Sequence, residues 1–96
     1  MSKNRLPPDM LWKLRNLIPI DHVILDILKL DIYRSDGCLR FQCPLCNGHH
    51  TATNSKTNLA RCFDCRENFN PIDMAMKALH LEFLDAVKLL SKHIAI

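Results

Sequence analysis

The segment from residue 43 to residue 65, CPLCNGHHTATNSKTNLARCFDC, decides how this chain is expected to fold. It contains two Cys-x-x-Cys pairs, Cys43 with Cys46 and Cys62 with Cys65, separated by 15 residues. This spacing is typical of a metal site, because two intervening residues let a tight turn aim both sulfur atoms at one point. It predicts one structural Zn²⁺ held by the four cysteines, since four thiolates complete a tetrahedron and leave no position open for catalysis.

Other chemistries share this cysteine pattern. An iron centre of the rubredoxin type is one alternative, and a thiol redox pair is another. A redox Cys-x-x-Cys normally occurs once, at a helix start in a strand–helix–strand unit, and neither pair has that context. His49 and His50 are expected to be exposed loop residues, although His49 is the first substitute ligand if Cys46 is not one. Cys38 lies outside the pattern and is expected to be a small apolar strand residue.

The composition indicates a small globular protein. The chain has 96 residues, of which 48% are hydrophobic and 24% are charged, near the lower size limit for independent folding. No apolar run is long enough to span a membrane, and the N-terminus lacks the apolar region of a secretory signal. We therefore expect a cytoplasmic protein, in which a metal site is favoured over disulfides. The formal net charge of +3 does not by itself indicate an acidic partner.

One α+β domain in three parts is predicted. The first part, residues 1–30, consists of a polar tail at residues 1–5 followed by the N-terminal helices. The second part, residues 31–69, is a zinc ribbon, and the third part, residues 70–96, contains the C-terminal helices. Short alternating segments predict that the ribbon is an antiparallel sheet of three to four strands, flanked by a helix pair on each side.

Proline and capping residues mark the limits of the N-terminal helices. Pro7 and Pro8 open an amphipathic pattern, and Pro19 ends it. Asp21 is predicted to cap a second helix that ends near Leu30.

Similar signals organise the remaining chain. Leu39–Gln42 and Leu59–Arg61 are predicted strands, and Asn47–Asn58 is predicted to be a polar loop. Asn70 is predicted to cap a third helix, and a fourth helical pattern covers Phe83–Ile94.

Two motifs carry a resemblance to a known family. The two Cys-x-x-Cys pairs read Cys43-Pro44-Leu45-Cys46 and Cys62-Phe63-Asp64-Cys65, and residues 81–90 have the form Leu-x-Phe-x-x-Ala-Val-x-Leu-Leu. Together with the order helix, helix, ribbon, helix, helix, these motifs resemble the zinc-binding domain of bacterial and phage DNA primases, the CHC2 zinc-finger family. Cys46 stands where bacterial primases often have histidine, and residues 66–70 replace the glycines of the family.

The resemblance implies a recognition module. In the family, this domain binds single-stranded template DNA and helps a separate catalytic domain begin an RNA primer. The resemblance therefore implies single-stranded DNA as one partner, and a primase catalytic domain or another replication protein as a second. Nucleotidyl transfer needs clustered carboxylates, whereas no acidic residue lies between Asp36 and Asp64. The chain is thus expected not to be an enzyme on its own.

The same acid-free window predicts a basic surface for phosphate contacts. The candidate residues are Arg34, Arg40, Lys56, Arg61 and Arg66. Phe41 and Phe63 lie nearby and can stack on bases unless they belong to the core.

Two other functions compete with this one. The first is a stand-alone accessory protein of a phage, plasmid or integrating element that acts through protein or DNA contacts. The second is an unrelated zinc ribbon used for protein contacts, for example in transcription.

Overall fold

Alternation of apolar and polar residues in the middle of the chain produces an antiparallel sheet that helices cover on one face. The computed structural model describes residues 8–94. Its elements in chain order are α1 (Pro8–Asn16), α2 (Ile20–His22), a π-helical segment (Val23–Ile27), β1 (Ile32–Ser35), β2 (Cys38–Phe41), β3 (Thr51–Asn54), β4 (Leu59–Cys62), β5 (Asn68–Phe69), α3 (Pro71–Leu79) and α4 (Phe83–Ser91). The α+β class predicted from the sequence is confirmed. The polar tail predicted at residues 1–5 and the chain end at Ile96 lie outside the described residues.

The sheet has five strands rather than three to four, in the order β1-β2-β3-β4-β5. The additional central strand, β3, comes from the segment predicted to be a polar loop. Its β-branched threonines favour an extended backbone, and it pairs with β2 on one side and β4 on the other. Burial of the Thr53 hydroxyl is tolerated because its Oγ1 accepts a hydrogen bond from the Leu39 amide at 3.2 Å.

The inner face of the sheet forms the core with the helices. Its buried strand residues are Leu39, Phe41, Thr51, Thr53, Ala60, Cys62 and Phe69. All of these except the two threonines belong to one core cluster with buried side chains of each helical region, which include Leu14, Ile24, Met74 and Leu90. On the outer face of the sheet, the cross-strand register aligns one row of side chains: Tyr33, Arg40, Ala52, Arg61 and Asn68.

The start of the second helix differs from the sequence prediction. The helix begins at Ile20 after Pro19, so Asp21 lies in its first turn and the predicted Asp21 cap is wrong. Asn58, in the turn between β3 and β4, caps it instead: its Oδ1 accepts a hydrogen bond from the Ile20 amide at 2.8 Å. The same side chain donates to the carbonyl oxygens of Arg15 at 2.7 Å and Ile18 at 2.9 Å. One asparagine therefore fixes the α1–α2 junction to the sheet.

The end of this helix also differs. The Leu28 amide donates to the Val23 carbonyl at 2.8 Å, five residues back, so the chain widens into a π-helical turn. The helical segment ends at Ile27 rather than near Leu30.

The start of α3 follows its sequence signals, whereas α4 ends at Ser91, short of the predicted Ile94. Asn70 caps α3 through a reciprocal pair of bonds: Asn70 Oδ1 accepts from the Asp73 amide at 2.8 Å, and Asp73 Oδ2 accepts from the Asn70 amide at 3.1 Å. Pro71 occupies the first helical position, where a missing amide hydrogen costs nothing. Within residues 8–94, no helix combines the length and the apolar character needed to cross a bilayer.

Candidate functional site

Two matching turns carry the four cysteines. The first follows β2 and the second follows β4, and β3 joins their bases because Thr51 pairs with both Phe41 and Cys62. The Cys43 amide donates to the Gly48 carbonyl at 2.8 Å, and the Cys62 amide donates to the Glu67 carbonyl at 3.0 Å, so each turn closes over the same number of residues.

Each turn needs a left-handed residue directly after its second cysteine. These residues are Asn47, with φ of 63°, and Arg66, with φ of 65°. Asparagine adopts this conformation readily, whereas arginine is strained in it. Arg66 therefore serves the second turn through its backbone, at a position that glycine would fill without strain.

The four sulfur atoms form one site able to hold a metal ion. All lie within 4.8 Å of one another, with 3.8 Å between Cys43 and Cys65 and 3.5 Å between Cys46 and Cys62. These distances fit a Zn²⁺ ion, because bonds of about 2.3 Å place the sulfur atoms of a tetrahedron about 3.8 Å apart. Cys43 and Cys62 are buried, whereas Cys65 is half-buried and Cys46 is exposed.

Backbone amides prepare the sulfur atoms for negative charge. The Leu45 amide donates to Cys43 Sγ at 3.3 Å, the Gly48 amide to Cys46 Sγ at 3.5 Å, and the Cys65 amide to Cys62 Sγ at 3.4 Å.

Cys62 and Cys65 differ in how readily their thiols ionise, and the pKa of each departs from the ordinary value. Burial raises the pKa of Cys62, but hydrogen bonds from the amides of Cys65 and Asp64 outweigh burial and lower it to about 6. The Glu67 amide lowers the pKa of Cys65, yet burial and the neighbouring cysteine sulfurs together raise it to about 12. Four thiols this close cannot all ionise without a cation among them, which is the condition that a divalent metal satisfies.

The two loop histidines lie beside the cysteine cluster rather than in it. His49 is exposed, and its carbonyl accepts a hydrogen bond from the Tyr33 hydroxyl at 3.0 Å. His50 is also exposed, and its Nδ1 lies 2.9 Å from Asp64 Oδ2 on the second turn. Among residues 8–94, the residues close enough to share a metal are the four cysteines alone.

Three of the five predicted basic residues line one groove on the outer face of the sheet. Arg40 and Arg61 lie on either side of Ala52, their partner in the register, and Lys56 lies in the following turn. The groove has a volume of about 580 Å³. Arg40 Nε is buried and has no hydrogen-bond partner among the described residues, and its guanidinium faces Asp36 at 3.7 Å.

The other two basic residues lie elsewhere. Arg34 is paired with Leu39 and therefore lies on the side of the sheet opposite to Arg40. Arg66 is exposed in the loop before β5 and does not line the groove.

The two phenylalanines differ in solvent exposure. Phe41 is 2% exposed and belongs to the core, so it cannot stack on a base. Phe63 is 58% exposed beside the groove, and the guanidinium carbon of Arg61 lies 5.8 Å from its ring centroid.

Sequence reasoning missed several residues of the groove. Ala52 forms its floor and Asn68 its far edge, and both depend on a strand register that the sequence does not display. Cys38 lies on β2 as predicted, but it is half-exposed in the groove rather than buried.

The chain matches no protein-family model, and no curated protein sequence is significantly similar to it. The cysteine cluster and the basic groove are therefore the features from which a function can be inferred.

Proposed function

We propose that this chain is a zinc-ribbon module that binds single-stranded DNA and supports RNA primer synthesis by a separate catalytic domain. The observation that carries the proposal is the outer face of the sheet, where two arginines flank a small residue beside an exposed aromatic ring. The resemblance to primase zinc-binding domains supplies the biological context.

In this proposal, Cys43, Cys46, Cys62 and Cys65 hold one structural Zn²⁺. The ion joins turns from two strands that a short ribbon could not otherwise fix, and a closed set of four thiolates leaves it no catalytic position. The zinc ion contributes to DNA binding indirectly, because it fixes the second turn, which carries Phe63 at the edge of the groove.

The groove offers a single strand both positive charges for its phosphates and an aromatic ring for base stacking. Arg40 and Arg61 stand two strand spacings apart, about 10 Å, so a flexible backbone can contact both. The Arg40–Asp36 pair is long, at 3.7 Å, and its carboxylate is exposed, so it contributes about 1 kcal/mol or less and a phosphate can replace the carboxylate at little cost. Phe63 provides a stacking platform for a base, and every base has a face suited to it.

The chain contributes recognition rather than chemistry in this role. Phosphoryl-transfer sites bind divalent metals through clustered carboxylates. The acidic residues of the groove region, Asp21 and Asp36, do not join any cluster of metal-binding side chains within residues 8–94. A separate catalytic domain would supply such a cluster.

An added carboxylate in the groove tests the proposal. Ala52→Glu places a carboxylate between Arg40 and Arg61, where cross-strand ion pairs favour the folded sheet while they neutralise the groove. Leu79→Glu is the matched control, since Leu79 is exposed at the end of α3, a helix that does not line the groove, and the change in net charge is identical.

Fluorescence anisotropy with a labelled single-stranded oligonucleotide gives the readout. We expect Ala52→Glu to weaken binding at least about tenfold, the effect of losing roughly one charged contact, and Leu79→Glu to leave binding nearly unchanged. Equal binding by both variants, or no binding by the unaltered protein at low salt, would reject the proposed function.

A further inference from the structure

The tips of the two cysteine turns lack the support that their bases have. The bases are held by β3, which pairs with the strands that precede both turns. The outer cysteines, Cys46 and Cys65, lie on the tips, and they are the more exposed pair. A bound metal ion leaves such a site when a ligand detaches, so separation of the tips is the natural first step of release.

Two contacts that involve no sulfur join His50, which lies between the first turn and β3, to the second turn, one at its base and one at its tip. His50 Nδ1 lies 3.0 Å from Asp64 Oδ1 and 2.9 Å from Oδ2. A carboxylate can only accept, so Nδ1 carries the proton and donates. The Phe63 amide also donates to the His50 carbonyl at 3.0 Å. His50 therefore contacts the second turn through both its side chain and its backbone.

Gly48 makes room for this arrangement. A Cβ atom on Gly48 would overlap the Asp64 Oδ2 atom, while the Asp64 Cβ would remain at 3.4 Å, an ordinary contact distance. Gly48 has no left-handed φ that would itself require glycine. The space beside this glycine is thus occupied by the carboxylate of the other turn.

We propose that His50 and Asp64 form a clasp that holds the tip of the second turn against the end of the first turn, which slows the loss of zinc by limiting separation of the two turns. Gly48 is a positioning residue in this clasp because it admits the carboxylate. The proposal rests on the assignment of a zinc ion to the four cysteines, but it is independent of DNA binding.

The rate of zinc transfer from the loaded protein to an excess of a chromogenic chelator, at one fixed pH, tests the clasp. We expect His50→Ala and Asp64→Ala each to accelerate release about three- to tenfold, the effect of one net hydrogen bond, with no further increase in the double variant. His49→Ala is the matched control, because this neighbouring histidine is exposed and its one hydrogen bond uses the backbone carbonyl, which alanine keeps.

Gly48→Ala provides the sharper test. It should accelerate release in the unaltered background, because its Cβ expels the carboxylate, but not in the Asp64→Ala background, where the remaining contact is acceptable. The absorption spectrum of the Co²⁺-loaded variants should stay unchanged, since all four sulfur ligands remain.

Each outcome is decisive. Release at the unaltered rate in both His50→Ala and Asp64→Ala would overturn the clasp alone, as would a Gly48→Ala effect of equal size in both backgrounds. Protein that binds no metal at all would overturn the zinc assignment together with the clasp.

Discussion

Simultaneous replacement of Arg40, Lys56 and Arg61 by glutamine should remove most of the electrostatic attraction of the groove for DNA. Each phosphate contact with a single strand contributes about 0.7 to the slope of log affinity against log salt, so three contacts contribute about 2. Between 50 and 200 mM salt, the unaltered protein should therefore lose about twentyfold more affinity than the triple variant. Anisotropy titrations at four or five salt concentrations measure both slopes.

The triple variant should keep its fold. The lost Arg61–Phe63 contact is worth about 0.5–1 kcal/mol, and the Arg40–Asp36 pair, whose carboxylate is exposed, is worth about 1 kcal/mol or less. The matched control replaces the same number of exposed lysines on or beside α3 and α4, Lys77, Lys88 and Lys92. Its salt slope should equal that of the unaltered protein. Equal slope changes in both triple variants would mean that DNA contacts are spread over the whole surface, which would refute the assignment to the groove.

Three further predictions concern the metal and the fold. Native mass spectrometry should show one zinc per chain, and Cys46→Ser should lose occupancy in competition with a chelator; full retention would contradict the ligand assignment. Zinc affinity should fall with decreasing pH, most steeply below about pH 6, because the depressed pKa of Cys62 keeps that thiolate ionised down to this point. Competition titrations from pH 5 to pH 8 measure the profile, and an affinity independent of pH would contradict the prediction. Asn58→Gly, which preserves the left-handed φ of 56°, should reduce the free energy of unfolding by about 2–3 kcal/mol through three lost hydrogen bonds, as measured by urea denaturation. Asn47→Gly, at another left-handed residue with φ of 63°, is the control, and an equal loss of stability in both variants would argue against Asn58 as the cap of α2.

Features with local causes could be predicted from the sequence. The spacing within each cysteine pair specifies a turn by itself, and the cap at Asn70 needs only the three residues that follow it. These signals predicted the ribbon and the start of α3 because each depends on neighbours in the chain.

Features with distant causes could not be predicted. Thr51–Asn54 contains a single apolar residue and so lacks a strand's hydrophobic alternation, and it becomes a strand because β2 and β4 supply hydrogen bonds on both sides. The cap of α2 comes from Asn58, 38 residues away from Ile20. The separation of Arg34 from Arg40 likewise depends on the register between β1 and β2, because a shift of one residue moves a side chain to the other face.

The most direct test of the proposed role is to map the DNA contacts on the zinc-loaded protein by NMR. Amide chemical shifts would be followed during titration with a single-stranded oligonucleotide at low salt. Groove binding predicts that the largest changes occur at Arg40, Ala52, Arg61 and Phe63, with little change in α3 and α4. Changes centred on those helices, or none at saturating oligonucleotide, would contradict a template-binding role for the outer face of the sheet.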